Sequence, residues 1–186
     1  TITAVAGAVN FATIGAVTPL SGLLVNSATS LSISGAVRVD DQGIDITAGT
    51  VTFNGPVTTT SGGTMEVTNS GLLSFANAAD LTLDGSFTQN GTGLVTSGAS
   101  ISTTGDAVLF ATAVTLTQDV LISTAGGSIT HSADISGDFL LTITGLAVTA
   151  LHNHFFYDAP KVYFMHIGGE GATEALASAV RKAWDK

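Results

Sequence analysis

Three histidines near the carboxyl end of the chain have the spacing best suited to catalytic or metal chemistry. His152 and His154 are two positions apart, and His166 follows 12 positions later. Residues i and i+2 of a β-strand lie on one face, so the first two share a face if this segment is extended. Imidazole is a common ligand of Zn²⁺ and other transition metals, and three of them leave one position open for water. The spacing therefore predicts a metal or catalytic site at these three residues.

The histidines fall in a segment that we interpret as two strands and a helix. Residues 148–155 and 161–167 read as strands, and the five residues between them suit a β-hairpin. A glycine-rich break precedes residues 172–184, which carry an apolar stripe at helical spacing: Leu176, Val180 and Trp184. The pattern predicts a small ββα unit.

The metal-site prediction depends on the register of this hairpin. If the hairpin pairs Phe155 with Lys161, its register places His154 opposite Val162 and His152 opposite Phe164. It then places Ala150 opposite His166, so that all three histidines lie on one face. A slip of one residue moves His166 to the other face and removes the site. The alternative is that the histidines are packed or exposed without a metal.

This tail resembles a known domain. The matching text is Val148-Thr-Ala-Leu-His-Asn-His154, then Pro160-Lys-Val-Tyr-Phe-Met-His166, Gly168-Gly169 and the helix from Leu176. Residues 147–186 thus resemble the C-terminal part of the LppY/LpqO-type domain of unknown function, found in bacterial proteins including mycobacterial lipoproteins. The resemblance implies a domain type with a histidine-lined site, and no particular reaction. That domain is far longer than this tail, so we expect an incomplete domain, a composite sequence or a cap on what precedes it.

Residues 1–145 have a different character, with apolar residues alternating with Thr, Ser or Asp at a period of two. This is the pattern of half-buried strands, and Gly-Gly, Asn-Gly and Asp-Gly steps between the runs indicate turns. Apolar pairs recur 21 or 22 positions apart: Val51/Phe53 with Leu73/Phe75, Val108/Phe110 with Ile129/His131, and Leu31 with Phe53. His131 falls where phenylalanines stand in other repeats, so it is predicted to be a packed histidine.

A period near 20 residues with several short strands is typical of a solenoid, and 145 residues supply about six or seven coils. A β-sandwich is the alternative, but it predicts longer strands and few Gly-Gly steps. Residues 25–145, most clearly Gly105-Asp-Ala-Val-Leu-Phe110 and the runs after it, resemble the repeats of filamentous-haemagglutinin and autotransporter-type bacterial surface adhesins. That resemblance implies a right-handed parallel β-helix.

Composition excludes several function classes. The net charge is −9, and residues 1–145 hold ten carboxylates against Arg38, so no basic patch for nucleic acid is expected. There is no cysteine, and no run of 18 apolar residues predicts a membrane span. The sequence begins within the alternating strand pattern, which favours a fragment or processed product.

Within the repeats, candidate chemistry is sparse. Asp40 and Asp41 could bind a cation, but a solvated turn explains them better. Thr-x-Thr pairs such as Thr50/Thr52 and Thr115/Thr117 are similar to the threonine arrays of ice-binding solenoids, although their irregular spacing favours ordinary outward strand positions.

The sequence therefore predicts an all-β protein: a right-handed parallel β-helix at residues 1–145 with a small C-terminal ββα unit at 146–186. The predicted function is a bacterial cell-surface or secreted structural or adhesive protein (a stalk, adhesin or filament subunit). Its predicted partners are further copies of itself or a host or matrix surface, with no cofactor for the solenoid. The alternatives are a metal-dependent enzyme or metal-binding module holding Zn²⁺ or another divalent metal, and an ice-binding solenoid.

Overall fold

A computed structural model describes the backbone of residues 2–143, 146–152 and 164–168, and the side chains of residues 7–143. All regular elements in these ranges are β-strands. In chain order they are β1 (Ile2–Phe11), β2 (Leu20–Ile33), β3 (Val37–Ala48), β4 (Thr50–Phe53), β5 (Val57–Thr59), β6 (Met65–Asn69), β7 (Leu73–Phe75), β8 (Leu81–Leu83), β9 (Phe87–Gln89), β10 (Val95–Ser97), β11 (Ile101–Thr103), β12 (Val108–Phe110), β13 (Val114–Leu116), β14 (Val120–Ser123), β15 (Ile129–His131), β16 (Ile135–Ser136), β17 (Leu141–Ile143), β18 (Leu146–His152) and β19 (Phe164–Gly168). The described residues contain no helix that is long and apolar enough to cross a membrane.

Strands β1 to β17 form a parallel solenoid of about six coils, which confirms the predicted fold class. Each coil contributes to three faces. Face A contains residues 8–11 of β1 and 30–33 of β2, then β4, β7, β10, β13 and β16. Face B contains residues 37–39 of β3, then β5, β8, β11, β14 and β17. Face C contains residues 22–25 of β2 and 43–48 of β3, then β6, β9, β12 and β15.

The predicted repeats are mostly in register. Val51 pairs with Leu73, as predicted from their spacing of 22. The prediction that Leu31 aligns with Phe53 is wrong, because Leu31 pairs with Val51, 20 positions on. The coils differ in length: positions 57 and 81 pair across 24 residues, whereas positions 95 and 114 pair across 19. Corners of variable length absorb these differences and keep the strands aligned.

One corner shows how closely the coils stack. Gly43 has a φ of +66°, in the region that glycine adopts most readily. A Cβ atom at this position would also lie 2.3 Å from the carbonyl oxygen of Thr64 on the next coil. The turn between faces B and C therefore requires glycine here.

The inward residues form one continuous core along the solenoid. Val51, Phe53 and Met65 are among many core side chains with 0% exposure. An aromatic stack runs through this core. Phe53 and Phe75 stack with their ring centroids 5.3 Å apart, and the series continues through Phe87, Phe110 and His131.

The prediction that His131 packs like a phenylalanine is confirmed, with one correction about which face it occupies. Its ring stacks on Phe110 with centroids 4.9 Å apart and an angle of 11° between planes. His131 and Phe110 belong to face C, whereas Phe53 and Phe75 belong to face A. The four residues thus occupy two repeat positions. The sequence pattern merged these positions, because corners of variable length conceal which face a strand joins.

The direction of the chain reverses after the last coil. Strand β18 pairs antiparallel with β17, through Thr142–Ala147 and Ile143–Leu146, and β19 then pairs antiparallel with β18. The predicted antiparallel pairing of these two strands is therefore present, whereas the predicted five-residue link between them lies outside the described residues. The predicted helix at residues 172–184 lies outside the described residues. The predicted domain boundary at Gly145 stays a prediction.

Candidate functional site

A ladder of hydroxyl side chains runs along face A from β2 to β16. It occupies one outward position per coil on six coils: Ser32, Thr52, Ser74, Thr96, Thr115 and Ser136. The Thr96 hydroxyl donates to Ser74 Oγ at 3.1 Å, and the hydroxyls of Thr115 and Ser136 are 3.2 Å apart. With strands about 4.8 Å apart, the ladder is roughly 24 Å long. Face A therefore presents a straight row of neutral hydrogen-bonding groups.

The double Thr-x-Thr array is not repeated from coil to coil. Leu72 and Leu94 hold the outward position of Thr50 on the next two coils, and they are 43% and 61% exposed. Gly98 holds the position that Thr117 occupies one coil later. The single ladder is in register although the pairs are not, and spacing along the sequence alone did not reveal this.

A groove of about 360 Å³ lies at the corner between faces C and A. Its polar lining comes from four coils: Ser27, Thr47, Thr68, Ser70, Asn90 and Thr92. No charged residue lines it. The Thr68 hydroxyl donates to Asn90 Oδ1 at 2.5 Å, and Asn90 Nδ2 donates to Glu66 Oε1 at 2.6 Å. These bonds fix the Asn90 amide at the edge of the groove.

Buried amides hold the floor of this groove in place. Asn69 and Gln89 are both 0% exposed, and Gln89 Nε2 donates to Asn69 Oδ1 at 2.8 Å and to Gly91 O at 3.2 Å. Gln89 Oε1 in turn accepts from the amide and hydroxyl of Thr112 at 3.3 and 3.2 Å. Since buried polar groups are costly when unpaired, this network fixes the corners of three coils relative to one another. This network of buried amides was not predicted from the sequence.

The acidic corner between faces B and C is occupied by hydrogen bonds within the chain. Hydroxyl donors from Ser61 and Thr60 hold the pKa of Asp40 below its usual 3.8. The amide of Gly62, followed by the Thr104 hydroxyl, lowers the pKa of Asp84 in the same way. Among the described residues, no group of three or more His, Asp or Glu side chains is placed to hold a metal ion.

His131 differs from these carboxylates, because the described residues leave its polar atoms without partners. Both its ring nitrogens are buried and have no hydrogen-bond partner in the described part of the structure. Burial lowers the pKa of the imidazole below its usual 6.5. The neutral ring is thus the form that fits at the end of the aromatic stack.

Two of the three histidines predicted to bind metal lie in the antiparallel strands that follow the last coil. His152 is the last residue of β18, and His166 is in β19, whereas His154 lies outside the described residues. The backbone pairs His152 with Phe164 and Ala150 with His166. This is the register on which the metal-site prediction depends. The site itself stays a prediction.

The comparison with protein families matches the same end of the chain. Residues 139–186 match a family model described as "Domain of Unknown Function (DUF1259)". The match covers about a quarter of the chain, and it begins just before β17. It agrees with the expectation that the tail resembles a domain of unknown function. The finer resemblance to the LppY/LpqO-type proteins stays a prediction.

The other two comparisons add no relatives. No curated protein and no solved structure matches the chain. The resemblance of the repeats to named surface adhesins therefore also stays a prediction.

Proposed function

We propose that this chain is a structural or adhesive β-solenoid of a bacterial cell-surface or secreted protein, acting as a stalk, adhesin or filament subunit. The supporting observation is the parallel solenoid of about six coils with one uninterrupted core. Such a core makes a stiff rod, and each flat face repeats its outward side chains at a fixed spacing. A rod of this kind can position other modules and offer an extended contact surface.

The proposal is tested by surface retention and self-assembly of the purified full chain. Labelled chain is passed over surfaces coated with fibronectin, collagen, neutral polysaccharide or albumin, and its molar mass is measured by light scattering. We expect saturable retention on at least one surface other than albumin, or assembly into rods. The proposal would be refuted if the chain were monomeric and were retained on the albumin surface as strongly as on every other surface.

The contact face is tested by a pair of matched variants. Thr52→Lys with Thr96→Lys places two cations on the hydroxyl ladder of face A. Thr58→Lys with Thr82→Lys makes the same change on face B, where neither side chain forms a hydrogen bond to described residues. Loss of retention in the first variant alone would assign face A as the contact surface.

A metal centre at the reversed end is the second candidate, and the register of β18 and β19 favours it. The three histidines would hold Zn²⁺ or another divalent metal there, for catalysis or for stability. Elemental analysis of purified protein tests this. Bound metal that disappears in a His152→Ala/His154→Ala variant supports the candidate, whereas metal-free wild-type protein after zinc supplementation eliminates it.

Ice binding is the third candidate, and the in-register ladder on face A favours it. A regular row of hydroxyls can order water in a lattice. The expected result is thermal hysteresis in dilute protein, abolished by the face A lysine variant. Freezing behaviour identical to that of albumin would eliminate this candidate.

A further inference from the structure

We infer that the groove between faces C and A, with the exposed leucines beside it, binds an uncharged glycan chain lying along the solenoid axis. This inference rests on the proposed adhesive function and names the chemical class of its ligand. A sugar ring has hydroxyl groups at its edge and an apolar C–H face. A matching site needs both free hydrogen-bonding groups and an adjacent apolar surface.

The groove offers free hydrogen-bonding groups in a regular arrangement. The hydroxyls of Ser27, Thr47, Ser70 and Thr92 line it and make no hydrogen bond to any described residue. Asn90 contributes a fixed amide, since its oxygen accepts from Thr68 and its nitrogen donates to Glu66. One amide hydrogen of Asn90 therefore remains available to a ligand.

Two exposed leucines lie close to these groups along the chain, outside the groove lining itself. Leu72 and Leu94 follow the lining residues Ser70 and Thr92 by two positions each. They are 43% and 61% exposed and stand on neighbouring coils, about 4.8 Å apart. Exposed leucines on a face of hydroxyl side chains are unexplained by packing, and they suit the C–H face of a sugar ring.

Charge selects against acidic ligands. The groove lining is uncharged, and Glu66 stands at its edge through its bond to Asn90. Residues 7–143 carry ten carboxylates and one basic side chain, Arg38. An acidic polysaccharide would be repelled by this surface, whereas a neutral one would not. Because the groove crosses four coils, it suits an extended chain of several rings better than a single sugar.

The test is calorimetric titration of the full chain with cellohexaose and chitohexaose, using hexagalacturonate as the acidic counterpart. We expect at least one neutral hexasaccharide to bind and the acidic one not to bind. Thr47→Val with Thr92→Val removes two hydroxyls that make no hydrogen bond to the described residues, and should weaken binding about tenfold. Leu94→Ser should also weaken it, and should reduce saturation transfer to the ring C–H protons.

The matched control is Thr82→Val, the same substitution at an exposed position of face B. It should leave both binding and the thermal midpoint unchanged. The inference is overturned if neither neutral hexasaccharide binds at millimolar concentration, if hexagalacturonate binds equally well, or if Thr82→Val weakens binding as much as the groove variant. If the chain is nevertheless retained on protein-coated surfaces, the adhesive function stands and only its glycan specificity fails.

Discussion

Replacing Gln89 with leucine should destabilise the solenoid, although it places an apolar side chain of similar size in the core. Gln89 is 0% exposed and donates to Asn69 and Gly91, while accepting from Thr112. The leucine variant keeps the volume and removes every one of these side-chain bonds. The usual preference for apolar residues in a core would predict that this substitution raises the free energy of unfolding, whereas we expect it to fall.

The size of the effect follows from the groups left without partners. Asn69 Oδ1, Gly91 O and the Thr112 amide each lose the hydrogen bond they make with this side chain. Ala111 keeps a partner, because its amide also donates to the backbone carbonyl of Gln89 at 3.0 Å. At about 1 kcal/mol or more for each buried unpaired group, the free energy of unfolding should fall by about 3 kcal/mol.

The assay is urea unfolding followed by circular dichroism, in a double-mutant cycle with Asn69→Leu. The double variant should cost less than the sum of the two single variants, since it removes both members of the Gln89–Asn69 bond together. Thr88→Val, on the outward side of the same strand, is the matched control and should change little. A Gln89→Leu variant as stable as wild type, or strictly additive effects, would show that the buried amides do not fix the corners.

Three further changes test the core. Gly93→Ala should destabilise the chain by about 3 kcal/mol, because its Cβ would lie 1.7 Å from the carbonyl oxygen of Gly71; an unchanged thermal midpoint would contradict the coil spacing. Phe75→Ala should cost about 3–5 kcal/mol in urea unfolding by interrupting the aromatic stack, and a cost under about 1 kcal/mol would show that the stack is not a tight core. Burial lowers the pKa of His131, so the unfolded chain binds more protons below about pH 6.5 and stability is lost as the pH falls through that value. His131→Phe should reduce the fall in urea midpoint between about pH 8 and pH 5, and an unchanged fall would assign the pH dependence to other groups.

The strands of the solenoid could be predicted because apolar and polar residues alternate strictly within each short run. In β4, Val51 and Phe53 are buried and Thr52 faces outward, as the period of two requires. Which face each strand joins could not be predicted. Three faces alternate along the chain, and corners of different length separate them, so a spacing of 22 residues aligned Leu31 with Phe53 although the true partner is Val51.

The buried amides were missed for a different reason. Asn69 and Gln89 are polar, and polar side chains at strand ends usually lie in turns. Their positions in the period-two alternation could have identified them. Asn69 continues the inward series of Met65 and Val67, and Gln89 follows the inward Phe87 by two positions. The pairing of His152 with Phe164, by contrast, follows from the register that the sequence allows if Phe155 pairs with Lys161, and the backbone has this register.

The reversal at β17 and β18 has a consequence for how this gene can change in length. Every coil before it presents the same parallel edge on both sides, so a duplicated unit of about 21 residues adds a coil without altering its neighbours' pairing. Strand β18 presents an antiparallel edge, whose hydrogen-bond spacing does not match that of a parallel coil. We therefore expect relatives to gain or lose whole coils before β17, while the junction from β17 to β19 keeps its length.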